Sequence, residues 1–459
     1  MTATVLDDIA ATIPAQRVLT DPGVTAGLSR DQAAGAPAGE PVAVVRAAST
    51  AEVVSVVLAC LRHRVPVVAR GAGTGLSGGA NAVDGCVVLA LDRMNQVLRV
   101  DAIERLAVVQ PGVVNNDLRT AVAADGLWYP PDPASAPWST IGGNVATNAG
   151  GICCVKYGVT RDYVLGLEVV TGTGELVRLG RQTAKSVAGY DLAGLIVGAE
   201  GTLGIVTEIT LRLRPLPPSP RTIVGYFSSL SDAGDAVHAV AAAGLTPSAL
   251  ELIDRHCLAA VDKWKNMGLS ADAEVILLAH VDDPGATGDA QAAAVADCFT
   301  GAGATWSAQS TDEVEAEQMF AARRLAYPAL ERLGPVVTED VCVPKSQVPE
   351  MLRRIDAAAE KHHVTIANIA HAGDGNLHPL LIANPSDEDE WGRTQAAFDD
   401  IIDNALALGG TVTGEHGVGL LKRRGLVSEL SPAVLEMHRA VKRALDPHNI
   451  MNPGKIFEL

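Results

Sequence analysis

Runs of apolar residues and their spacing divide the chain into strands and helices before any chemistry is considered. Residues 41–46 and 65–70 are short stretches rich in Val and Ala, and they read as buried strands. Between them Ser49 offers an N-cap and Glu52 an acidic first turn, while Val53, Val56, Val57 and Cys60 recur at helical spacing. Strands are expected again at 86–91 and 106–109, and a short helix at 115–124 closed by Gly126. Gly172-Thr173-Gly174 turns a hairpin with arms at 164–170 and 175–179. Asp191 opens a short helix, and Ile205, Thr207, Ile209, Leu211 and Leu213 alternate on one face of a strand. The proline-rich run 214–220 is a stiff linker. Beyond it, strands at 222–227, 274–280, 336–343 and 365–370 alternate with helices at 231–243, 288–300, 312–332 and 346–362. That order predicts a sheet covered by helices on one face. A helix with an acidic start follows at 387–407.

Composition narrows the class. At 459 residues the chain suits two or three domains at about 150 residues each. The boundaries expected are a wrapping segment at 1–40, a first domain at 41–217, a second at 218–420 and a closing segment at 421–459. With 48% hydrophobic and 19% charged residues it is an ordinary globular composition. The net charge of −17 excludes a nucleic-acid partner, which needs a basic face. Met1–Pro14 lacks the charged start and apolar core of a secretory signal, and no apolar run of about eighteen residues spans a membrane. Seven scattered cysteines argue against a disulfide framework and for the cytoplasm, with peripheral membrane attachment left open.

Two backbone-rich stretches invite a large anionic ligand. Arg70-Gly71-Ala72-Gly73-Thr74-Gly75-Leu76-Ser77-Gly78-Gly79 is dense enough in glycine for its N–H groups to cradle a phosphate. It matches the dinucleotide fingerprint literally but leads into a strand rather than a helix, so a Rossmann unit is not expected. The run from Ser139 to Gly151 is small, polar and almost uncharged, and reads as a wall for a flat ligand.

Metal and acid–base chemistry concentrates near the end. His371 and His378 flank Gly-Asp-Gly-Asn between two apolar runs, on a tight connection between strands. Imidazoles brought together in this way suit zinc or a similar metal, with Glu415 of Gly414-Glu415-His416-Gly417 as the carboxylate. The alternative is that one His caps the turn and the other is a satisfied core side chain.

With these motifs in this order, the chain from 41 to 459 resembles the vanillyl-alcohol oxidase superfamily. Within it the chain is similar to the D-lactate dehydrogenase and glycolate oxidase flavin-subunit family. The resemblance implies an α+β protein: a two-subdomain FAD-binding domain, a ferredoxin-like antiparallel-sheet substrate domain and a C-terminal helical segment returning to the flavin. It implies FAD held by Arg70, Gly71, Gly73, Thr74, Gly75, Ser77, Gly78, Pro131, Asp132, Ser135, Ile141, Gly142, Asn144, Thr147, Ala149, Gly150, Gly151, Tyr157, Glu200, Gly204, Ile205 and Asn452. Thr74 stands where flavinylated relatives carry a His, so the FAD is expected to be non-covalent.

The resemblance also implies a divalent metal, zinc or manganese, on His371, His378 and Glu415. His416 becomes the general base, Arg323 of Phe320-x-x-Arg323 the carboxylate clamp and Asn376 a further substrate contact. The same helix carries Met319 and Leu325 among its apolar positions. The activity implied is oxidation of a D-2-hydroxy acid, D-lactate-like or glycolate, to the 2-keto acid. The electron acceptor would be a quinone, a cytochrome or an electron-transfer protein, and a homodimer is compatible. Alternatives are the flavin subunit of a glycolate oxidase complex, a D-2-hydroxyglutarate dehydrogenase, or a non-redox alkyl-transferring synthase. Thr338-Glu339-Asp340 lacks the Lys expected for a second carboxylate, which favours a monocarboxylate. An iron–sulfur centre would have to sit on another protein, because no cluster-type Cys spacing exists here.

Overall fold

The computed structural model describes residues 4–183, 185–269, 273–310, 312–384 and 386–459; residues 1–3 of the Met1–Pro14 stretch and the side chain of Met319 lie outside that description. The chain forms two compact units. One comprises Met1–Gly150, Val159–Leu216 and Glu415–Leu459, the other Gly151–Gly158 and Pro217–Gly414. Residues 151–158 and 415–420 therefore fall on the opposite side from the boundaries read in the sequence. Among the described residues no helix is long and apolar enough to cross a membrane. Cys60, Cys86, Cys257 and Cys298 are free thiols among the described residues.

In the first unit, Ala43–Arg46, Val87–Ala90 and Val67–Arg70 pair in parallel, with Val18–Leu19 antiparallel at the edge. Parallel strands are apolar on both faces, and helix Thr50–His63 covers one of them with Val53, Val56, Val57 and Cys60. Ser49 caps this helix by accepting the Glu52 N–H, and Arg64 closes it at φ 56°. A second, antiparallel sheet runs in the order Val97–Asp101, Leu106–Val109, Ile205–Arg212, Val164–Val170, Leu176–Gly180. Ile205, Thr207, Ile209 and Leu211 are buried as their alternation predicts; register shifts at Val206/Glu208 and Thr210/Leu211 bury Thr210 as well.

The expected wall at 139–151 is in part a helix, Ile141–Thr147. Thr140 accepts the Gly143 N–H at 3.3 Å and Asn148 ends the helix at φ 52°. Both ends are thus fixed despite the low helix propensity of Gly142 and Gly143.

The second unit is built on one antiparallel sheet. Its order is Trp306–Gln309, Arg221–Phe227, Val275–Val281, Ala249–Asp254, Ile366–His371, Asn376–Ile382, Val336–Thr338, with Val341–Cys342 also paired to Asn376–Ile382. Helices Arg255–Lys265 and Glu313–Glu331 pack on Val224, Ile253, Ile276, Leu278, Ile369 and Leu380. Residues of the other parity, Leu252, Leu277 and Ala370, are equally buried, so the sheet is covered on both faces rather than one.

Strand Ala249–Asp254 and helix Arg255–Lys265 escape the sequence reading because no glycine or proline separates them. Asp254 ends the strand and caps the helix at once, accepting N–H groups of His256 and Cys257. The strand expected at 336–343 breaks at Glu339 and Asp340.

Candidate active site

Strand alternation gathers the polar groups of the second unit. Glu251 pairs in register with His371, His371 with Asn376, and Ile369 with His378. These four polar side chains therefore lie on the sheet face that, farther along, packs Ile253, Ile369 and Leu380 into the core. The two imidazoles meet edge to face with ring centroids 5.1 Å apart.

Glu251, fully buried in mid-strand, joins two of the groups named from sequence. Its Oε1 accepts from His371 Nδ1 at 2.7 Å and its Oε2 from Arg323 Nε at 2.7 Å. Burial alone would raise this carboxyl, but the charges and hydrogen bonds of His371 and Arg323 hold it below the ordinary range. Placing the proton on His371 Nδ1 leaves Nε2 as a lone-pair donor, the arrangement in which a carboxylate orients a ligating imidazole. Glu251 was missed in the sequence; a lone carboxylate between Leu250 and Leu252 was the signal available.

Asp340 is the second buried acid. Its Oδ2 accepts from Thr413 Oγ1 at 2.7 Å and from the Gly414 N–H at 3.0 Å, and its Oδ1 lies 3.6 Å from His378 Nδ1. Its carboxylate is thus engaged in holding the 413–414 turn. Asn376 Oδ1 is buried without a hydrogen-bond partner among the described residues.

Helix Cys154–Tyr157 also belongs to this unit. Lys156 Nζ reaches Asp282 at 2.6 Å and Asp283 at 2.9 Å, and Tyr157 donates its hydroxyl to Asp282 at 2.5 Å. Tyr157, nominated for the cofactor, thus commits its hydroxyl to Asp282.

In the first unit the glycine loop packs at Gly71 against Thr140 and Gly143. Arg70 ends its strand buried, its Nη1 without a hydrogen-bond partner among the described residues, and a side chain on Gly73 (φ 74°) would strike its guanidinium. Burial lowers the Arg70 pKa, opposed by the charge of Asp31. A side chain on Gly71 would meet Thr140, and one on Gly142 would stand 2.5 Å from Pro111. Asn115 Nδ2 donates to Pro131 O at 3.1 Å and Asn144 Oδ1 at 2.9 Å, while its own Oδ1 is buried with no hydrogen-bond partner among the described residues. Asn144 in turn donates to Ser139. Ser135 O accepts the Ser139 N–H, Thr147 donates to Gly143 O, and Ala149 O accepts from Thr160. Thr74, Gly75, Gly78, Asp132 and Gly150 fall in loops of the first unit, and Gly151 opens the segment assigned to the second unit. Gly204 and Ile205 enter the central strand of the antiparallel sheet.

Glu200 and Asn452 hold backbone groups of the protein. Glu200, at φ 50°, accepts the N–H groups of Val418 at 2.7 Å and Gly419 at 2.9 Å. Asn452 donates to Gly79 O at 2.8 Å and Glu200 O at 2.7 Å. Glu415 and His416 begin the segment so held, with His416 Nε2 3.7 Å from Glu415 Oε1.

A buried guanidinium and a buried amide oxygen, each with an atom left without a partner among the described residues, and glycines that admit no side chain fit a dinucleotide-sized anion. Residues 216–456 match the profile of the C-terminal domain of FAD linked oxidases, and residues 41–180 that of an FAD binding domain. The chain belongs to the FAD-linked oxidase family. The glycolate oxidase subunit GlcD of Bacillus subtilis is 42% identical to this FAD-linked oxidase over 419 residues, covering 91% of this chain and 89% of the relative. A D-lactate dehydrogenase of Anaerostipes hadrus is 34% identical over 456 residues, covering 97% and 95%. Among solved structures, p-cresol methylhydroxylase with substrate bound aligns with a TM-score of 0.83 over 99% of this chain and 96% of its own, at 19% identity, a likeness of fold. This FAD-linked oxidase thus has the vanillyl-alcohol-oxidase-type fold that the motifs implied, with an FAD-binding domain and a domain built on an antiparallel sheet.

Proposed function

We propose that this FAD-linked oxidase is a dehydrogenase of D-2-hydroxy acids of the monocarboxylate class, D-lactate or glycolate, working in the cytoplasm. The observation that carries the reading is Glu251, which joins the guanidinium of Arg323 to the imidazole of His371 beside His378. A guanidinium suits the carboxylate that every 2-hydroxy acid carries. Two neighbouring imidazoles, one pre-oriented by a buried acid, suit a zinc or manganese ion with Glu415 as third ligand.

FAD, when bound along Arg70–Gly79 and the Asn115–Asn144 network, supplies the two-electron acceptor. The metal, when bound, acts as a Lewis acid on the substrate oxygens. Arg323 fixes the carboxylate, Asn376 offers its buried amide to the substrate, and His416 takes the hydroxyl proton as the α-carbon is oxidised. The substrate loses two electrons and two protons and leaves as the 2-keto acid. The absence of a cation at Thr338, with Glu339 and Asp340 buried beside it, favours one carboxylate over two.

The test is the flavin spectrum of the anaerobic protein after adding D-lactate, L-lactate, glycolate or D-2-hydroxyglutarate singly, repeated after chelation. Bleaching by one D-acid or by glycolate, lost on chelation and restored by metal, is expected. Bleaching only by D-2-hydroxyglutarate would move the substrate class. A flavin that no hydroxy acid bleaches without a partner protein would favour a subunit of a larger complex.

A further inference from the structure

The structure assigns to Glu200 a part in the reaction that its nomination as a cofactor contact does not describe. We propose that Glu200 is a positioning residue for His416, clamping the chain just beyond it. The inference rests on the reading of His416 as the base.

Segment 416–421 carries its own anion site. Gly417 at φ 85° and Gly419 at φ 49° flank Val418, so that two successive N–H groups point one way, a nest for a negative group. The Glu200 carboxylate fills it, one oxygen to each N–H. Side chains on Gly417 could not be added freely, because a Cβ there would stand 3.0 Å from Glu200 Oε1.

Glu200 itself adopts the left-handed region, which a residue with a side chain enters at a cost of order 1 kcal/mol. The Asn452 amide, bonded to Glu200 O, braces that turn. On its other flank Glu200 Oε2 lies 2.8 Å from where a Cβ on Gly79 would stand, so the acid touches the glycine loop as well. The loop also grips the segment directly. Ser77 donates to His416 O at 3.0 Å, and Ser77 O accepts the N–H groups of Leu420 at 2.8 Å and Leu421 at 3.2 Å. His416 is therefore held by its own carbonyl and by the two amides that follow Gly417. Of these holds only Glu200 is a side-chain charge, and it supplies both amide acceptors.

Glu200→Gln keeps the volume and the backbone preference but offers a donor where one N–H needs an acceptor. Hydrogen exchange of the purified protein, with its flavin, reads the clamp without any reaction. The expectation, above pH 7 where the Glu200 carboxylate is ionised, is a rise of about tenfold or more at Val418 and Gly419, since bonds to a charged acceptor contribute on the order of 1.5–3 kcal/mol. Protection in the Val164–Val170 strand and the flavin content should stay unchanged. Unaltered exchange at 418–419 would overturn the proposal.

The link to His416 is read by a cycle. Glu200→Gln should slow anaerobic flavin reduction at least tenfold without raising KM in proportion, yet cost little more in a His416→Ala background. The same loss in both backgrounds would overturn the positioning role. If no hydroxy acid reduces the wild-type flavin while exchange responds as expected, the clamp stands and the assignment of the reaction fails.

Discussion

The Asp340 carboxylate accepts the backbone N–H of Gly414 at 3.0 Å, one peptide before Glu415. An acid two residues beyond Thr338 is thus an anchor for the Thr413–Gly414 turn. Replacing it by Ala removes the acceptor of both Thr413 Oγ1 and the Gly414 N–H. A buried donor left unsatisfied costs about 1–3 kcal/mol. Asp340→Ala should therefore unfold at lower urea than wild type by an amount in that range. Asp340→Asn, which keeps one acceptor oxygen, should lose less; equal stability of all three proteins would remove the anchor.

Glu251 orients His371 and Arg323 together, so one substitution should have two effects. In Glu251→Gln the imidazole loses the carboxylate that fixes its proton on Nδ1, and metal affinity should fall about 10–100-fold, as for other outer-shell partners of ligating histidines. KM for the hydroxy acid should rise in the same protein. Metal titration followed by elemental analysis checks the first effect and steady-state kinetics the second. A variant with full metal and altered KM would confine Glu251 to the clamp.

Arg323→Lys preserves the charge but not the planar fork. The expected result is a KM raised about tenfold or more, in keeping with roughly 1.5–3 kcal/mol for a charged hydrogen bond. The flavin spectrum and melting temperature should stay close to wild type. An unchanged KM would exclude Arg323 from the carboxylate site.

Two buried groups should make stability depend on pH in opposite senses. Burial pushes Glu200 up to about 7 against the Val418 and Gly419 N–H groups and Lys455, with Asp31 adding to the rise. The folded chain then holds a proton that the unfolded chain has released, so this stability is present in acid and is lost as pH climbs from the ordinary carboxyl range through about 7. Burial pushes His280 down to about 4, against Glu251 and Asp282, with Arg324 assisting. Here the unfolded chain binds the extra proton, and stability is lost as pH falls from the ordinary imidazole range toward 4. Each contribution is on the order of 3 kcal/mol. Urea midpoints between pH 4 and 8 should show the alkaline fall flattened in Glu200→Gln and the acid fall flattened in His280→Gln. Parallel curves for wild type and variants would contradict both.

The sequence was most legible where local signals agree with the fold. The Ser49 cap, the 53/56/57/60 stripe and the alternation from Ile205 to Leu211 each specify an element without tertiary help. The His371–His378 hairpin was equally plain, since two apolar runs bracket a glycine-rich turn. What was hidden needed partners distant in the chain. Glu251 looks like a blemish in an apolar run until strand pairing sets it beside His371, 120 residues away. Glu200 lies 218 residues from the N–H of Val418, and no spacing rule connects them. The seven-residue helix at Ile141–Thr147 was obscured for another reason: glycine-rich composition argues against a helix that its caps nevertheless close.

The short helix Cys154–Tyr157 has a consequence for anyone recombining members of this family. It is drawn from the middle of the sequence that builds the FAD-binding unit, yet it belongs to the second unit, where its Lys156 and Tyr157 are bonded to Asp282 and Asp283. The proline-rich run at 214–220 looks like a seam, but cutting there separates neither fold cleanly. A transplant of the second unit takes four junctions, at 150/151, 158/159, 216/217 and 414/415, and the short insert must travel with the long one. A chimera made at the apparent seam alone would ask a resident Lys156 and Tyr157 to recognise a stranger's acids.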